Sequence, residues 1–206
     1  MSDTDSTAVL RSLHQNGMGA EYVPLRQTLF TVLERMIPQG CVTASGSSET
    51  LTQLGVRAFL HKRTQYYDAG AAGLSRAEKD AAIRKAFDAD IYLTSAAAVT
   101  ETGELLLVDG TGNRTAAVAY GPRKVIVIVG TNKLVPDFDT ALQRLRMVAA
   151  PQNALRRGKG NLPCARLGRC INCKSSERMC CDFLRVAFCR ENGRITVLLV
   201  DEEVGF

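Results

Sequence analysis

The sequence is short of the residues that several common protein classes require. It has no tryptophan, 6% aromatic residues and two histidines in 206 positions. Neither histidine, His14 or His61, has an evident catalytic partner, so a histidine-based triad is not expected. The longest apolar run, residues 125–129, is far shorter than the ~20 residues that a membrane-spanning helix needs. We therefore expect neither a triad hydrolase nor a membrane span.

The N-terminus also lacks the basic segment and the apolar segment of a secretory signal peptide. We accordingly expect a cytoplasmic protein, in which thiols stay reduced. Hydrophobic residues make up 46% and charged residues 23% of the chain, which is typical of a folded globular protein. The length suits one large domain or a domain with an appendage.

Cysteine, in contrast, is concentrated in one segment. Five of the seven cysteines lie within the eighteen residues 164–181. Thiolates are soft ligands for zinc or an iron–sulfur cluster, and a set of small buried apolar side chains would not need such crowding. One C-x2-C pair in a contiguous loop favours a 4Fe-4S cluster, with zinc as the alternative. The preferred metal ligands are Cys164, Cys170, Cys173 and Cys180.

The other cysteines have different expected roles. Cys181 is adjacent to the run and is expected to point elsewhere, whereas Cys41 and Cys189 are interpreted as structural. The net charge of +5 reflects cations crowded into the same end of the chain. We interpret these cations as offsetting thiolate charge rather than as a nucleic-acid surface, so no nucleic-acid partner is expected. They are Arg156, Arg157, Lys159, Arg166, Arg169, Lys174, Arg178, Arg185, Arg190 and Arg194.

Alternating helical and strand patterns predict an α/β fold with a mostly parallel central sheet flanked by helices. Helical spacing and capping signals predict helices in residues 5–15, 24–36, 48–55, 75–88 and from 136 onwards. Short apolar runs predict strands in residues 41–44, 56–60, 91–94, 104–108, 115–119, 124–129 and 195–200. The strands at 104–108 and 115–119 are expected to pair around the turn that begins at Asp109.

These elements suggest three parts along the chain. Residues 1–150 form the α/β core with its N-terminal helices. Residues 151–190 form a basic linker and a Cys-rich metal-binding insertion. Residues 191–206 return a C-terminal strand to the core.

A Ser- and Gly-containing turn follows the strand predicted at 41–44. Ser47, Ser48 and Thr50 offer hydroxyls and backbone amides at the start of a helix, which is a typical arrangement for binding a phosphate or carboxylate group. Plain helix capping accounts for the same residues, and Glu49 in the first turn favours capping slightly. Both interpretations stay open at this point.

Three further polar turns follow predicted strands. Ligands of open α/β sheets bind outside the carboxyl ends of the strands, so these turns suggest a pocket. Glu101 could act as base or nucleophile, whereas Asn113 and Arg114 could hold a small anionic substrate. Asn132 and Lys133 follow the last of these strands, and Lys133 could offer positive charge. Ordinary turn chemistry is the alternative for each residue taken singly.

Several motifs in this order carry a family resemblance. They include Ser47-Ser48-Glu49-Thr50-Leu51, Thr100-Glu101-Thr102-Gly103, Gly112-Asn113-Arg114, Gly130-Thr131-Asn132-Lys133 and Glu203-Val204-Gly205-Phe206. Over nearly its whole length the chain resembles the LUD-domain family, the lactate-utilisation proteins of the third-component type. The resemblance implies the fold shared with ribose-phosphate isomerase and coenzyme A transferases (the NagB/RpiA/CoA-transferase-like fold), and a bacterial role tied to oxidation of lactate to pyruvate. It also implies that the cysteine run is an addition, because other members lack it.

The chain departs from the family pattern in two places. The first loop of the family usually reads Gly-Gly-Ser-x-Thr, whereas here only Gly46 remains. The Asn-Ala-Ile segment that commonly precedes the Thr-Glu pair is Ala97-Ala98-Val99. The fold is therefore expected more firmly than the reaction.

Three functions are compatible with these observations. The first is an accessory or electron-transfer component of lactate oxidation that binds a small anionic ligand, holds a Cys-ligated metal and works with lactate-oxidation partner subunits. The second is an acyl-CoA or sugar-phosphate enzyme of the same fold with Glu101 as nucleophile or base. The third is a ligand-binding module with a structural zinc.

Overall fold

The structure is a computed structural model that describes residues 5–71 and 73–206. Residues 1–4, at the start of the polar N-terminus, and Ala72 lie outside the described residues. The strands are β1 (Gly19–Val23), β2 (Val42–Ser45), β3 (Gln65–Tyr67), β4 (Ile91–Thr94), β5 (Ala98–Thr100), β6 (Leu105–Asp109), β7 (Lys124–Gly130), β8 (Leu134–Val135), β9 (Asp182–Val186) and β10 (Ile195–Val200).

Helices cover the faces of the sheets and connect the strands. They are α1 (Ser6–Gln15), α2 (Arg26–Met36), α3 (Glu49–Gln53), α4 (Val56–Arg63), α5 (Arg76–Lys85), α6 (Asn113–Ala119), α7 (Phe138–Arg144), α8 (Ala150–Arg156) and α9 (Pro163–Leu167). Two 3-10 turns, Ala86–Asp88 and Thr131–Lys133, and a π-helical turn, Leu145–Ala149, complete the set. In the described part of the chain, no helix has both the length and the apolar character needed to cross a membrane.

The central sheet has six strands in the order β1-β10-β7-β4-β2-β3, and every neighbouring pair is parallel. This arrangement confirms the predicted α/β fold with a mostly parallel sheet. Strand β7 lies between β10 and β4, and it contributes apolar side chains to both faces of the sheet. Its alternate side chains enter two cores: Val125, Val127 and Val129 pack on one side, and Ile126 and Ile128 pack on the other.

A second, mixed sheet with the order β8-β5-β6-β9 packs against one of these cores. Its strand β6 buries Leu105 and Leu107 toward the central sheet and Leu106 toward a third core, which α7 and the π-helical turn also form. The helical run from α7 through α8 is continuous across residues 150 and 151, where the core was expected to give way to the linker.

Most predicted elements are present, and the capping box of α5 is confirmed in detail. Ser75 Oγ accepts from the Glu78 amide at 3.3 Å, and Glu78 Oε2 accepts from the Ser75 amide at 2.7 Å. The predicted strands at 91–94, 124–129 and 195–200 correspond to β4, β7 and β10. Strand β9, directly after the cysteine run, was not predicted.

Two predicted strands are wrong because both segments are helical. Residues 56–60 belong to α4, where the fully buried Val56 and Leu60 are one helical turn apart, and Gly55 with φ of 75° separates α4 from α3. Residues 115–119 belong to α6, so the predicted hairpin does not form. Alanine, the best helix former, fills three of those five positions.

Candidate functional site

A cavity of about 680 Å³ opens at the carboxyl ends of the central strands. Strands β7, β4 and β2 are neighbours in the parallel sheet, so the residues that follow them meet at one edge. Lys133 arrives from β7, Ser95 from β4 and residues 45–50 from β2, and all of these line the cavity. The end of β6, the π-helical turn, α8 and part of the cysteine run complete the wall.

Lys133 lies in the wall of this cavity, with 2% of its surface exposed. Its Nζ donates to Thr50 Oγ1 at 2.7 Å and to Ser95 Oγ at 2.9 Å. Burial, together with the smaller effect of the positive charges of Arg144 and Arg114, lowers the pKa of Lys133 to about 7. Near neutral pH the side chain therefore exchanges between ammonium and free amine.

The turn that carries Lys133 is fixed by Arg144 of α7. The guanidinium donates to the Asn132 carbonyl at 2.9 Å and to the Ala97 carbonyl at 2.6 Å. It thereby joins the end of β7 to the segment that leads into β5. A charged donor with two backbone acceptors is a strong restraint, so the position of the Lys133 amine is preorganised.

The turn after β2 contains one helix-capping hydroxyl and two hydroxyls that contact cationic side chains. Ser48 caps α3, since its Oγ accepts from the Leu51 amide at 3.3 Å. Ser47 is exposed, and its Oγ lies 3.4 Å from both terminal nitrogens of Arg156. Thr50 accepts from Lys133 and donates to the Val204 carbonyl at 3.4 Å. Helix capping therefore uses Ser48, while Ser47 and Thr50 face cationic groups of the cavity.

The turn after β6 also lines the cavity, but its own carboxylate occupies the helix N-terminus. Asp109 Oδ2 accepts from the amides of Arg114 and Thr115 at 2.6 and 3.4 Å, and Oδ1 accepts from the Gly110 amide at 2.8 Å. The backbone amides at the start of α6 are thus already engaged. The Asn113 and Arg114 side chains remain in the cavity wall.

Cations outnumber carboxylates around the cavity. Seven lining residues are Lys or Arg and three are Asp or Glu. Two of the carboxylates face arginines: Asp68 pairs with Arg57, and Glu49 lies 3.9 Å from Arg156. The excess favours a negatively charged ligand. The seven cations are Arg57, Lys79, Arg114, Lys133, Arg156, Arg157 and Arg178.

Two residues predicted for the site are not among those that line the cavity. Glu101 follows β5 in the smaller sheet, where its amide donates to the Val135 carbonyl at 2.9 Å. Asn132 holds the C-terminal segment: its Nδ2 donates to the Gly205 carbonyl and its Oδ1 accepts from the Val204 amide, each at 3.3 Å.

The cysteine run borders the same cavity. Cys164 on α9, Cys173 and Cys180 line the wall, whereas Cys170 is not among the lining residues. Two backbone bonds dock the segment: the Cys170 amide donates to the Arg146 carbonyl and the Cys181 amide donates to the Asp109 carbonyl, both at 2.8 Å. The run is therefore attached to the π-helical turn and to Asp109, the residue that begins the turn carrying Asn113 and Arg114.

The interior of the run is organised by Arg178. Its guanidinium donates to the Cys180 carbonyl at 2.8 Å and to the Cys173 carbonyl at 2.9 Å. Burial raises the pKa of the Cys180 thiol, and Arg178 acts in the opposite direction. Burial also raises the pKa of the Cys164 thiol, and the neighbouring Cys170 and Cys173 add to that rise.

The donor set of the run suits a soft metal, since its four predicted ligands are all thiols, and Cys170 and Cys173 help to raise the pKa of both Cys164 and Cys180. Their arrangement does not form a closed site. Within residues 5–71 and 73–206, no three His, Cys, Asp or Glu side chains converge closely enough to hold a metal ion. The chemistry of these donors thus fits a thiolate-bound centre, whereas the described side chains do not form one.

Ser95 and Arg156 belong to the site although the sequence did not single them out as ligands. Ser95 follows β4 directly, so the rule about the carboxyl ends of strands could have identified it. Arg156 was assigned to the cysteine run because of its position in the chain. Arg156 and Asn153 are three residues apart on α8 and therefore lie on the same face of that helix. Both line the cavity, and Asn153 accepts from Arg156 Nη2 at 2.7 Å.

The chain is an α/β protein with a parallel sheet and a cation-lined cavity at the carboxyl ends of its strands, which is where open α/β sheets bind ligands. Residues 7–200 match the LUD domain family, and the chain therefore belongs to that family. The predicted family membership is confirmed. No curated protein matches the chain.

Three solved structures are similar to the chain. A DUF162 family protein from Deinococcus radiodurans matches with a TM-score of 0.52 and 14% identity over 95% of each chain. The eIF2B beta subunit from Chaetomium thermophilum matches with a TM-score of 0.36 and 22% identity over 54% of this chain and 39% of its own. Ribose 5-phosphate isomerase A from Methanocaldococcus jannaschii matches with a TM-score of 0.32 and 20% identity over 61% and 55%. The first of these supports the fold over nearly the whole chain.

Proposed function

We propose that this LUD-domain protein binds a small anionic ligand in the cavity and serves as an accessory or electron-transfer component of lactate utilisation, in the oxidation of lactate to pyruvate. The observation that carries the proposal is the excess of cations around a cavity whose wall holds the buried Lys133 amine. Lactate and pyruvate are both small carboxylates. Family membership supports the link to lactate at a coarse level.

The ligand's carboxylate would interact with the preorganised donors of the cavity. Lys133 supplies charge at the wall, and Arg114 and Arg156 supply guanidinium groups that suit a carboxylate. The exposed hydroxyl of Ser47 adds a neutral hydrogen-bonding group beside Arg156. A charge-assisted hydrogen bond contributes about 1.5–3 kcal/mol, so two such contacts would give a small acid measurable affinity.

Calorimetric titration tests this part of the proposal. We expect lactate or pyruvate to bind the wild-type protein and the Lys124→Met variant alike, because Lys124 lies at the exposed start of β7. The Lys133→Met variant should bind at least ~10-fold more weakly, which corresponds to 1.4 kcal/mol. Equal affinity of all three proteins would contradict the proposal.

We further propose that Cys164, Cys170, Cys173 and Cys180 hold a metal centre at the edge of the cavity, with a 4Fe-4S cluster favoured and zinc as the alternative. A cluster, when bound, would supply one-electron transfer. The chain itself contributes the thiols and the Arg178 cation, which offsets thiolate charge and fixes two backbone carbonyls of the loop. Zinc would instead make the run a structural part of a ligand-binding module.

The same proposal includes a cytoplasmic location and an interaction with lactate-oxidation partner subunits. Free thiols are stable in a reducing compartment, and the described cysteines are all unpaired. An electron-transfer role would require a partner that supplies or accepts electrons. Addition of the purified protein to a lactate-oxidising fraction should raise the rate of dye reduction, whereas no effect at any ratio would argue against that role.

The size of the cavity supports a second candidate, an acyl-CoA or sugar-phosphate enzyme of the same fold. A volume of about 680 Å³ is more than a three-carbon acid fills, and seven cations are more than one carboxylate needs. Such an enzyme would use Lys133 rather than Glu101 at its reacting centre, because Glu101 does not line the cavity. Tighter binding of ribose 5-phosphate or acetyl-CoA than of lactate would favour this candidate.

A further inference from the structure

Lys133 is the chemically unusual group of the cavity. A fully buried lysine is rare unless a carboxylate pairs with it. Here, within the part of the chain that the structure describes, the hydrogen-bond partners of Nζ are the hydroxyls of Thr50 and Ser95. Neutral partners stabilise an ammonium less than a carboxylate does, so the site tolerates the uncharged amine.

The hydroxyl hydrogens define the direction of these bonds. The Ser95 hydroxyl donates to Thr50 Oγ1 at 3.2 Å, and the Thr50 hydroxyl donates to the Val204 carbonyl at 3.4 Å. Both oxygens therefore accept from Lys133. A neutral amine has two hydrogens, and these two bonds use both of them. Its lone pair is left without a partner among the described residues and is available to a ligand.

The surroundings also select what the amine would meet. Arg114 lines the cavity and is close enough to Lys133 to lower its pKa, and Arg156 lines the same cavity from α8. These guanidinium groups would hold a carboxylate near the amine. A molecule that places a carboxylate on the arginines and an electrophilic carbon next to it would present that carbon to Lys133.

We propose that Lys133 is a nucleophile that forms a reversible imine with the carbonyl carbon of a small 2-oxo acid bound in the cavity. The proposal rests on the proposed function, because it specifies the chemical class of the anionic ligand. Lactate lacks the carbonyl group and would bind without covalent chemistry. The protein would therefore distinguish the oxidised acid from the reduced acid by a covalent bond.

The step balances without an oxidant or a reductant. The neutral amine of Lys133 attacks the carbonyl carbon, a C–N bond forms, and the proton lost by nitrogen is taken up by the former carbonyl oxygen. Loss of that hydroxyl group as water, together with the remaining amine hydrogen, gives the imine. Addition of water reverses the step. The Thr50 and Ser95 hydroxyls contact the amine and can relay these protons.

Reductive trapping tests the proposal. Wild-type protein is incubated with pyruvate and sodium cyanoborohydride and digested, and the modified lysine is located by tandem mass spectrometry. We expect one pyruvate-derived adduct on Lys133 and none when lactate replaces pyruvate. Lys124→Met should label as the wild type does, and Lys133→Met should lose at least nine tenths of the label.

Peptide mapping of the wild type keeps the test valid even if Lys133→Met does not fold, because it locates the adduct without a variant. Label spread over exposed lysines, or no label at a pyruvate concentration that saturates binding, would overturn the imine. Calorimetry separates the two proposals. Pyruvate binding without an adduct refutes the imine alone, whereas absence of binding by pyruvate, lactate and other small anions refutes the proposed function as well.

Discussion

Lys133 Nζ lies 2.7 Å from Thr50 Oγ1, although 83 residues separate the two in the chain. Lys133 follows β7, Thr50 lies in the first turn of α3 after β2, and β4 lies between these two strands in the sheet. The hydrogen bond therefore spans the ends of three adjacent strands. Because parallel strands end at one edge, this contact is the structural basis of the cavity.

The depressed pKa of Lys133 predicts how stability depends on pH. The pKa of Lys133 is about 7 in the folded protein, and its reference value, which we take for the unfolded chain, is 10.5. At a pH between these two values, the unfolded chain binds a proton that the folded chain does not. The free energy of unfolding should therefore rise with pH in that window, by up to ~1.4 kcal/mol per pH unit. Below pH 7 both states are protonated, and the cost of the buried charge persists.

Urea denaturation at pH values from 6 to 9 measures this dependence. Lys133→Met removes the group, so the stability of the wild type relative to this variant should increase as the pH rises above the folded pKa. Lys124→Met, at an exposed position, should run parallel to the wild type. Parallel curves for the wild type and Lys133→Met would mean that Lys133 stays charged when folded.

Arg156 is predicted to contribute directly to anion affinity. Its guanidinium lines the cavity, and Glu49, at 3.9 Å, neutralises it only in part. Arg156→Gln should weaken lactate or pyruvate binding by about 10-fold, the equivalent of one charge-assisted hydrogen bond. The control is Arg190→Gln, an exposed arginine outside the cavity lining, which should bind as the wild type does. Calorimetric titration at low ionic strength gives both values.

Glu101→Gln is predicted to leave ligand affinity unchanged, within about 2-fold. The carboxylate follows β5 and is not among the cavity-lining residues, so its charge is not in contact with the ligand. The same titration measures the effect. A loss of affinity comparable to that of Arg156→Gln would restore Glu101 as a residue of the site.

Gly103 is predicted to be intolerant of any side chain. It has φ of +76°, and a Cβ there would come within 2.5 Å of the Ser12 carbonyl carbon and 2.6 Å of the Leu13 nitrogen in α1. Gly103→Ala should lower the free energy of unfolding by about 3 kcal/mol, because left-handed strain adds to displacement of the helix. Gly158→Ala is the matched control. Its φ is +68° with no atom within 4 Å of a Cβ, so strain alone should cost about 1 kcal/mol.

The cysteine run is predicted to determine metal content. After anaerobic purification, the wild type should contain iron and acid-labile sulfide with visible charge-transfer absorption. Cys170→Ser should lose most of the iron, whereas Cys41→Ser, outside the run, should retain it. Zinc in place of iron would support the thiolate site and would contradict the proposed redox role. Metal-free wild type, even after reconstitution with iron and sulfide, would contradict a metal site in the run.

Local patterns in the sequence were sufficient for elements whose signal is strong over several residues. The β-branched run of β7 and the capping box at Ser75 are examples, and both predictions are confirmed. The segments at 56–60 and 115–119 were ambiguous because each is only five residues long. In both, the helix begins directly after a glycine with positive φ, Gly55 or Gly112.

The candidate site was predictable to the extent that it follows from parallel strand ends. Ser47, Thr50 and Lys133 meet in the cavity for that reason. Arg114 reaches the cavity from the end of β6 in the smaller sheet, whereas Glu101, which follows β5 of the same sheet, does not line it. A single sequence does not specify which strands share a sheet or which strand ends face a common cavity. The contribution of Arg156 depends on the direction in which α8 runs past the cavity, which is also a long-range property.

A crystal structure with lactate or pyruvate bound tests the central claim most directly. The account predicts electron density for the acid inside the cavity, with its carboxylate within hydrogen-bonding distance of Arg114, Arg156 or Lys133. For pyruvate it further predicts density continuous with Lys133 Nζ. An acid ordered only outside the cavity, at a concentration that saturates binding in solution, would contradict the account.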